Sequence, residues 1–185
     1  MRNSRWKLGL CAALILGLIC ASHAQTASPA TNPTAATAKL AKPLDSFAWL
    51  VGGVWTADAT ALGPGMLRIE TSYFPSDNNS YIRFTTHFVS TRGTLKNYDG
   101  SMYWDAARHQ LRMWYMSASG QITESPMTID GDRWRMEFEG TDFDDKPAVL
   151  QVLVERKTND LYHWSLAEKA GEGWKPLAGL DYARK

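Results

Sequence analysis

The stretch Phe47-Ala-Trp-Leu-Val-Gly-Gly-Val-Trp55 decides how the rest of the chain is organised. Low-complexity sequence precedes it, and one short strand-like segment after another follows it. Its apolar residues Phe47, Leu50 and Val51 recur at i, i+3 and i+4, which predicts a short apolar helix. The pair Gly52-Gly53 ends that helix and allows a sharp change of direction into a first strand. We therefore expect the stretch to join a tail to a folded domain and to close one end of that domain.

The first 24 residues have the features of a secretory signal peptide. Arg2, Arg5 and Lys7 are basic, residues 8–19 form an apolar core, and Ser22-His-Ala24 offers small residues for cleavage. The apolar run is short for a membrane span. We expect export through this signal to the periplasm or beyond, and no integral membrane domain in the mature chain.

Two alternatives for this leader stay open, an uncleaved anchor and a lipoprotein acylated at Cys20. Ile19 stands where a lipoprotein signal needs a small residue, which disfavours the second alternative. Cys11 and Cys20 both lie in the leader, so the predicted mature chain has no cysteine. An exported protein without disulfides must rest on its hydrophobic core, and the remaining length is sufficient for one.

Residues 25–42 are rich in Ala, Thr and Pro and are predicted to form a disordered linker, because they bury too little apolar surface. Residues 43–185 then form a single domain. Removal of the signal takes away three basic and no acidic residues, so the formal charge changes from +1 to −2. A near-neutral chain without a Lys/Arg cluster gives no reason to expect a nucleic-acid partner. The oligomeric state is not encoded in any pattern.

Ten strand-like segments follow the opening stretch, and short turns rich in Gly, Pro, Asn and Asp separate them. The seventh has the cleanest alternation, with Trp134, Met136 and Phe138 on one face and charged residues on the other. The predicted strands are Val54–Thr60, Met66–Phe74, Tyr81–Thr91, Leu95–Trp104, Leu111–Met116, Gln121–Ile129, Arg133–Glu139, Ala148–Lys157, Leu161–Glu168 and Trp174–Ala183. Connections this short leave no room for crossover helices, so sequence neighbours are antiparallel.

The predicted fold is an all-β, ten-stranded antiparallel up-and-down barrel, with a short N-terminal helix capping one end. Closure removes the exposed edges that an open sheet would present. A two-sheet sandwich fits the same number of strands and stays an alternative. Gly100 suggests a bend in the fourth strand, and Pro126 belongs at a bulge or edge of the sixth.

The opening stretch resembles the W-L-x-G-x-W motif of small lipocalin-like (calycin-like) barrels, including the bacterial DUF1579 group. The segment Gly100-Ser-Met-Tyr-Trp-Asp105 and the closing run Trp174–Arg184, which ends in Tyr-x-Arg, are similar to that group. The resemblance covers residues 43–185 and implies a barrel whose apolar interior holds a hydrophobic small molecule. The related nitrobindin-like barrels bind haem iron through a histidine near the C-terminus. No histidine follows Trp174, so we expect no haem and no other cofactor.

Candidate ligand-binding residues are the aromatic and polar side chains that strand alternation could direct into the lumen. Barrels of this size can hold one small ligand, although core packing explains many aromatic residues equally well. In the third strand Arg83 and His87 share one face and Ile82, Phe84 and Phe88 the other, and the sequence does not select the inward face. The candidates are Trp55, Arg83, His87, Tyr103, Trp114, Trp134 and His163.

No constellation of residues points to catalysis or to a metal site. The histidines share no short motif, no serine lies in a Gly-x-Ser-x-Gly motif, and Asp144-Asp145 lies in a turn. The leading hypothesis is an exported barrel that binds a hydrophobic or amphiphilic small molecule without chemistry. One alternative is a small hydrolase or isomerase that uses His87 or His163 at a barrel mouth. The other is a tethered structural or interaction module with a filled lumen.

Overall fold

The structure, a computed structural model, describes residues 40–142 and 146–185. These residues form a ten-stranded antiparallel barrel in which each strand pairs with its sequence neighbours and β1 also pairs with β10. The predicted barrel is confirmed, and the sandwich is excluded because one sheet closes on itself. The strands are β1 Trp55–Asp58, β2 Met66–Pro75, β3 Tyr81–Ser90, β4 Gly93–Asp105, β5 Gln110–Ser117, β6 Ile122–Asp130, β7 Arg133–Thr141, β8 Pro147–Arg156, β9 Leu161–Ala170 and β10 Gly173–Arg184.

The predicted signal peptide and most of the predicted linker lie outside the described residues. The last linker residues are described, and they pack on the barrel. Leu40 is buried in the core, and the amide of Ala41 donates a hydrogen bond to the Asn79 carbonyl at 2.9 Å. The packed part of the chain thus includes residues 40–42, just before the predicted domain boundary at residue 43.

The antiparallel order places alternate connections at opposite ends of the barrel. The turns after β2, β4, β6 and β8 lie at one end, together with the start of β1 and the end of β10. The connections after β1, β3, β5, β7 and β9 lie at the other end. We call the first the capped end, because the N-terminal helix packs there, and the second the open end.

The N-terminal helix spans Leu44–Leu50 and is a 3-10 helix, which we call the cap helix. A 3-10 helix has three residues per turn, so residues three apart lie along one line. That line is Leu44, Phe47 and Leu50, whose side chains are at most 1% exposed. Val51 lies outside the helix in an extended conformation. The predicted i, i+3, i+4 spacing of an α-helix therefore does not describe this segment, whose buried residues recur every three positions. The Phe47 ring packs edge-on against Trp134, with centroids 6.3 Å apart.

The two glycines after the cap helix allow the chain to turn tightly into β1. Both have positive φ, +84° at Gly52 and +71° at Gly53. A Cβ atom on Gly53 would lie 3.1 Å from the Cγ atom of Arg184, so a side chain there would crowd the C-terminal arginine. The indole of Trp55 donates a hydrogen bond from Nε1 to the Leu50 carbonyl at 2.8 Å, which ties β1 to the end of the helix.

Arg184 joins the closing run of the sequence to the opening stretch. Its guanidinium lies 4.4 Å from the centroid of the Trp55 ring. Nη1 donates to the carbonyls of Val51 (3.0 Å) and Gly52 (2.7 Å), and Nη2 donates to the Trp49 carbonyl. The planar five-donor fork of arginine suits several carbonyls at once. The two ends of the sequence pattern thus meet at one charged contact that closes the barrel.

Two local predictions need correction. The first strand is shorter than predicted, because an Asp58 carboxylate oxygen accepts a hydrogen bond from the Thr60 amide at 2.8 Å and starts a 3-10 turn, Thr60–Leu62. Gly100 marks a close approach rather than a bulge, since a Cβ there would lie 2.3 Å from the Trp114 carbonyl oxygen. The irregularity in β4 lies opposite the Thr86–His87 step of β3.

Candidate functional site in the open half of the barrel

Burial of the inward-facing side chains of β3, β7 and β9 decreases from the capped end to the open end, although Ile69 and Leu150, the partners of Phe88 and Phe138, stay buried. On β9 Tyr162 is 2% exposed, whereas Trp164, two residues closer to the open end, is only partly buried. On β7 Met136 is 1% exposed and Phe138 is partly buried. The same trend separates Phe84 from Phe88 on β3. The capped half of the lumen is therefore a packed core, and solvent reaches the inner wall in the open half.

Four partly buried aromatic residues form an arc around this inner wall. Phe88 contacts Tyr98 with ring centroids 6.1 Å apart, Tyr98 contacts Tyr115 at 5.3 Å, and Tyr115 contacts Phe138 at 6.3 Å. All three contacts are edge-to-face, the geometry that the ring quadrupoles favour. We call Phe88, Tyr98, Tyr115 and Phe138 the aromatic arc. It gives the open half a continuous apolar lining from β3 to β7.

The hydroxyl groups of the arc stay neutral over the physiological pH range. Burial raises the pKa of Tyr115 to about 12, partly offset by a hydrogen bond with Thr123. Burial also raises the pKa of Tyr98. The arc therefore offers ring faces and neutral hydroxyls but no charge. A ligand in this half would place an apolar or weakly polar portion against it.

Charges lie at the rim of the open end. Glu168 on β9 faces Lys175 on β10, and their charged atoms are 3.8 Å apart. The lysine side chain is 67% exposed and the glutamate 25%. An exposed pair at this distance contributes little to stability, so both groups remain free to contact a polar ligand group. Nearby inner-wall positions are small, at Ala148 and Ala178.

The barrel wall contains a lateral slot between β6 and β7. The ladder between these strands ends at the pair Met127–Met136, although both strands continue towards the open end. A cavity of about 480 Å³ lies there. Its lining contains one member of the aromatic arc, so the slot reaches the inner wall. The lining residues are Ile122, Thr123, Glu124, Ser125, Pro126, Glu137, Phe138, Glu139 and Val149.

A second, smaller cavity of about 190 Å³ lies beside the cap helix. Phe47, Trp49 and Trp134 form part of its wall, and Arg156 stacks over Trp49 at 5.5 Å. Trp134 Nε1 is buried and has no hydrogen-bond partner among the described residues. Arg156 is held by Asn159 and lies 3.7 Å from Asp132. This cavity belongs to the packing of the capped end.

Two of the seven residues predicted from the sequence face the lumen, and both lie in the capped half. Trp55 is fully buried and Trp134 is 5% exposed, so both pack in the core around the cap helix. The pairing Tyr73–Phe84 and Ile82–Met102 directs Ile82, Phe84 and Phe88 inward. The remaining five candidates lie on the outer face: Arg83, His87, Tyr103, Trp114 and His163.

The outer-face candidates make local contacts with their neighbours on adjacent strands. Tyr103 donates its hydroxyl to Glu124 at 2.6 Å, and Arg112 donates to the same oxygen at 2.9 Å. His163 Nδ1 lies 2.7 Å from the Asp181 carboxylate on the exposed surface. His87 is paired with Glu70 across β2 and β3. Neither histidine faces the lumen, so the geometry gives no support to the hydrolase or isomerase alternative.

The arc residues Tyr98 and Tyr115 were not predicted as site residues. The signal was present in the alternation, since Tyr98 shares a face with Gly100 and Met102, and Tyr115 shares one with Met113. The alternation places Phe88 and Phe138 each on an apolar face, but it does not say which face of either strand points inward. A count of apolar residues per face, strand by strand, would have selected the inner row.

Among residues 40–142 and 146–185, no group of three or more His, Cys, Asp or Glu side chains is placed to hold a metal ion. Within the same residues no helix has the length and apolar character needed to cross a membrane. Neither observation adds a site to those described above.

Comparison with known proteins finds similarity among solved structures. No family model matches the chain, and none of the curated proteins compared with it matches either. The crystal structure of Rv2717c from M. tuberculosis is similar to this chain, with 14% sequence identity and a TM-score of 0.49. The similarity covers 79% of this chain and 99% of the Rv2717c chain.

Proposed function

We propose that this protein is an exported barrel that binds an amphiphilic small molecule in the open half of its lumen and does no chemistry on it. The observation that carries the proposal is the aromatic arc, four inward-facing rings in sequence that are only partly buried. Ligand pockets are typically apolar and aromatic with a few polar groups that fix orientation. Here the arc supplies the apolar wall, and Glu168 and Lys175 supply polar groups at the rim.

The capped end determines the route of the ligand in this proposal. The cap helix fills that end with Leu44, Phe47 and Leu50, none of which is more than 1% exposed. The ligand therefore reaches the lumen through the open end. Export by residues 1–24 and tethering by residues 25–42 belong to the same proposal. So does membership of the lipocalin-like DUF1579 group, which the meeting of Trp55 and Arg184 supports.

The test is a binding titration with detergent-like probes that share a dodecyl chain and differ in headgroup: dodecyl maltoside, dodecyl sulfate and dodecylammonium. Fluorescence of Trp164, which faces the lumen in the open half, reports occupancy against the background of the other tryptophans. Tyr115→Leu should weaken binding about fivefold, the loss expected from one well-placed aromatic contact of about 1 kcal/mol. Native mass spectrometry of protein purified from its own periplasm would identify a resident ligand.

The matched control is Tyr103→Leu, the same change on the outer face. It should leave the affinity for every probe unchanged. Binding that is equally sensitive to both substitutions, or saturable binding of none of the three probes below their micelle concentrations, would contradict the proposal. In that event the filled-barrel interaction module becomes the better account of the fold.

A further inference from the structure

The slot between β6 and β7 interrupts the pairing of the barrel wall, as does the short β1–β10 ladder of two residue pairs. Pairing of these strands covers only Met127–Asp130 with Arg133–Met136, next to their turn. Towards the open end β6 remains paired with β5 as far as Ile122, and β7 remains paired with β8 as far as Thr141. Each strand is thus paired on one side only along this part of its length. The structure has two strand edges facing each other across a cavity.

Two side chains explain why the ladder stops where it does. Pro126 has no N–H group and cannot donate to a ladder. The Ser125 hydroxyl donates to the Glu137 carbonyl and so replaces a backbone bond at the apex of the slot. Beyond this apex the backbone donors and acceptors of the two edges have no partner strand within the described residues. Barrels normally remove such edges by closing completely, and an exposed edge is a template for another strand.

We propose that the slot binds an extended polypeptide segment, which adds as a strand to the edge of β7 and carries basic side chains. Strand addition supplies the backbone hydrogen bonds that β7 lacks on this side, and alternate side chains of the added segment point inward and outward. This site differs from the small-molecule site, because it uses the strand edges and the outer face of the wall and shares only Phe138 with the aromatic arc.

The charge of the lining selects the side chains of the segment. Three of the nine lining residues are glutamates, and the lining contains no lysine or arginine. Glu124 is already neutralised by Arg112 at 2.9 Å. The uncompensated charge belongs to Glu137 and Glu139, which project from the outer face of β7. A basic side chain on the outer face of an added strand would lie beside them, as opposite charges do in cross-strand pairs.

Apolar residues on the same outer face give the segment its second feature. Ile122 on β6 is 67% exposed and Val149 on β8 is 42% exposed, and they flank the slot on its two sides. The aliphatic stems of lysine side chains on the outer face of an added strand would cover them. The inward-facing residues of the segment would meet Thr123 and Phe138. The preferred segment therefore has lysine or arginine on its outer face and β-branched residues on its inner face.

The experiment uses three synthetic ten-residue peptides and the full barrel domain. The first alternates lysine with valine, the second replaces each lysine with glutamate, and the third is the first with every second backbone amide N-methylated. We expect the Lys/Val peptide to bind by fluorescence anisotropy. The Glu/Val and N-methylated peptides should bind at least about tenfold more weakly, because charge pairing or several hydrogen bonds of about 1 kcal/mol are lost. Hydrogen exchange of residues 137–141 should slow on binding.

Variants separate this site from the lumen. The double variant Glu137→Lys/Glu139→Lys should lose at least about tenfold in affinity for the Lys/Val peptide. Glu172→Lys, the same charge reversal in the exposed turn between β9 and β10, should not. Phe88→Leu, which changes the lumen at the end of the aromatic arc away from the slot, should leave peptide binding intact. A failure of this proposal therefore leaves the small-molecule proposal standing, and the reverse also holds.

Four results would overturn the proposal. The first is that the N-methylated peptide binds as tightly as its parent, and the second is that the amides protected from exchange lie outside residues 122–126 and 137–141. The third is that dodecylammonium binds in the slot while no peptide does. The fourth is that the slot mediates a dimer, so that its occupant is a second copy of the chain. Sedimentation of the wild type and of the Glu137→Lys/Glu139→Lys variant detects the last of these.

Discussion

The capped and open halves of this barrel are built from the same strands but differ in how their inner faces are used. In the capped half the inner row consists of large residues such as Trp55, Met102 and Met136, each no more than 1% exposed. In the open half the same rows continue with partly buried rings and with small residues such as Ala148 and Ala178. The difference teaches that the densely packed core and the proposed binding region lie at opposite ends of the barrel axis, with the cap helix at the packed end.

The backbone shows the same division. At the capped end β1 and β10 are joined by the pairs Trp55–Arg184 and Thr56–Ala183, and Arg184 also donates to the carbonyls of Val51 and Gly52. Towards the open end β6 and β7 separate and leave a slot. Regions with fewer buried contacts and unpaired backbone groups open more readily, and ligand-binding elements are drawn from such regions. Each experiment below changes one half and uses the other as its reference.

The largest effect is expected from Phe47→Ala, which removes the central side chain of the cap helix. Phe47 is 1% exposed and packs on Trp134, and the loss of a buried phenylalanine costs about 3–5 kcal/mol of unfolding free energy. Phe74→Ala is the matched control, since Phe74 is 46% exposed on the outer face. Urea denaturation measures both. Similar midpoints for the two variants would show that the cap helix does not stabilise the barrel.

The next effect is expected from Arg184→Met, which keeps the apolar contact with Trp55 and removes the guanidinium. Charge-assisted hydrogen bonds contribute about 1.5–3 kcal/mol each, and several backbone carbonyls lose their donor. We expect a total loss of about 2–4 kcal/mol, because water reaches part of this site. Arg108→Met is the control, since the side chain of Arg108 is 66% exposed and pairs with Asp105 in a turn. An Arg184 variant as stable as the Arg108 variant would contradict the role of this contact in closure.

A third difference concerns alkaline pH. Burial raises the pKa of Tyr73 to about 12, and burial also raises the pKa of Tyr162 and of Tyr182 well above the usual value. Between the unfolded pKa of about 10 and these values, the unfolded chain has lost protons that the folded protein keeps. The stability is therefore fully present below about pH 10 and falls as the pH rises, by about 1.4 kcal/mol per pH unit for each such tyrosine.

Tyr73→Phe isolates the contribution of Tyr73 to this pH dependence of stability. Between about pH 10 and 12 the unfolding free energy of the variant should fall less steeply with pH than that of the wild type. The two slopes should differ by about 1.4 kcal/mol per pH unit. Tyr81→Phe, at a position 38% exposed, should follow the wild type. The measurement is urea denaturation at closely spaced alkaline pH values. Parallel curves for wild type and Tyr73→Phe would mean that Tyr73 titrates in the folded state as it does in the unfolded chain.

The fold could be predicted from the sequence because each strand and turn is indicated by a local sequence pattern. The turns at Asp130-Gly131 and the strict alternation of the seventh strand depend on neighbours only a few residues away. The type of the cap helix was not predictable, because its period of three appears only once Leu44 packs in line with Phe47 and Leu50. The end of the first strand depended on one side chain, Asp58, that caps a turn.

The site was harder to predict than the fold, because alternation gives two faces and does not say which is inside. In β3 the polar row Arg83 and His87 and the row Ile82, Phe84 and Phe88 were equally consistent with a lumen lining. Closure of the barrel decides in favour of the second row. The slot was signalled by Pro126 alone. That residue implies a defect in a ladder, but the partner across the gap is known only from the register of β6 and β7.

The smallest effect is expected within one strand, from a comparison of Phe84→Ala with Phe88→Ala. Both rings face the lumen, but Phe84 is 6% exposed next to Tyr73, and Phe88 lies one step further into the open half and is partly buried. Phe84→Ala should cost about 3 kcal/mol, the low end for a buried phenylalanine. Phe88→Ala should cost about 1 kcal/mol, because its ring keeps part of its solvent contact in the folded state. For the affinity of the dodecyl probes we expect the opposite order. Phe88→Ala should weaken binding more than Phe84→Ala, because removal of Phe88 shortens the aromatic arc and removal of Phe84 does not. Equal destabilisation by the two variants would place Phe88 in the packed core and move the boundary between the halves towards the open end.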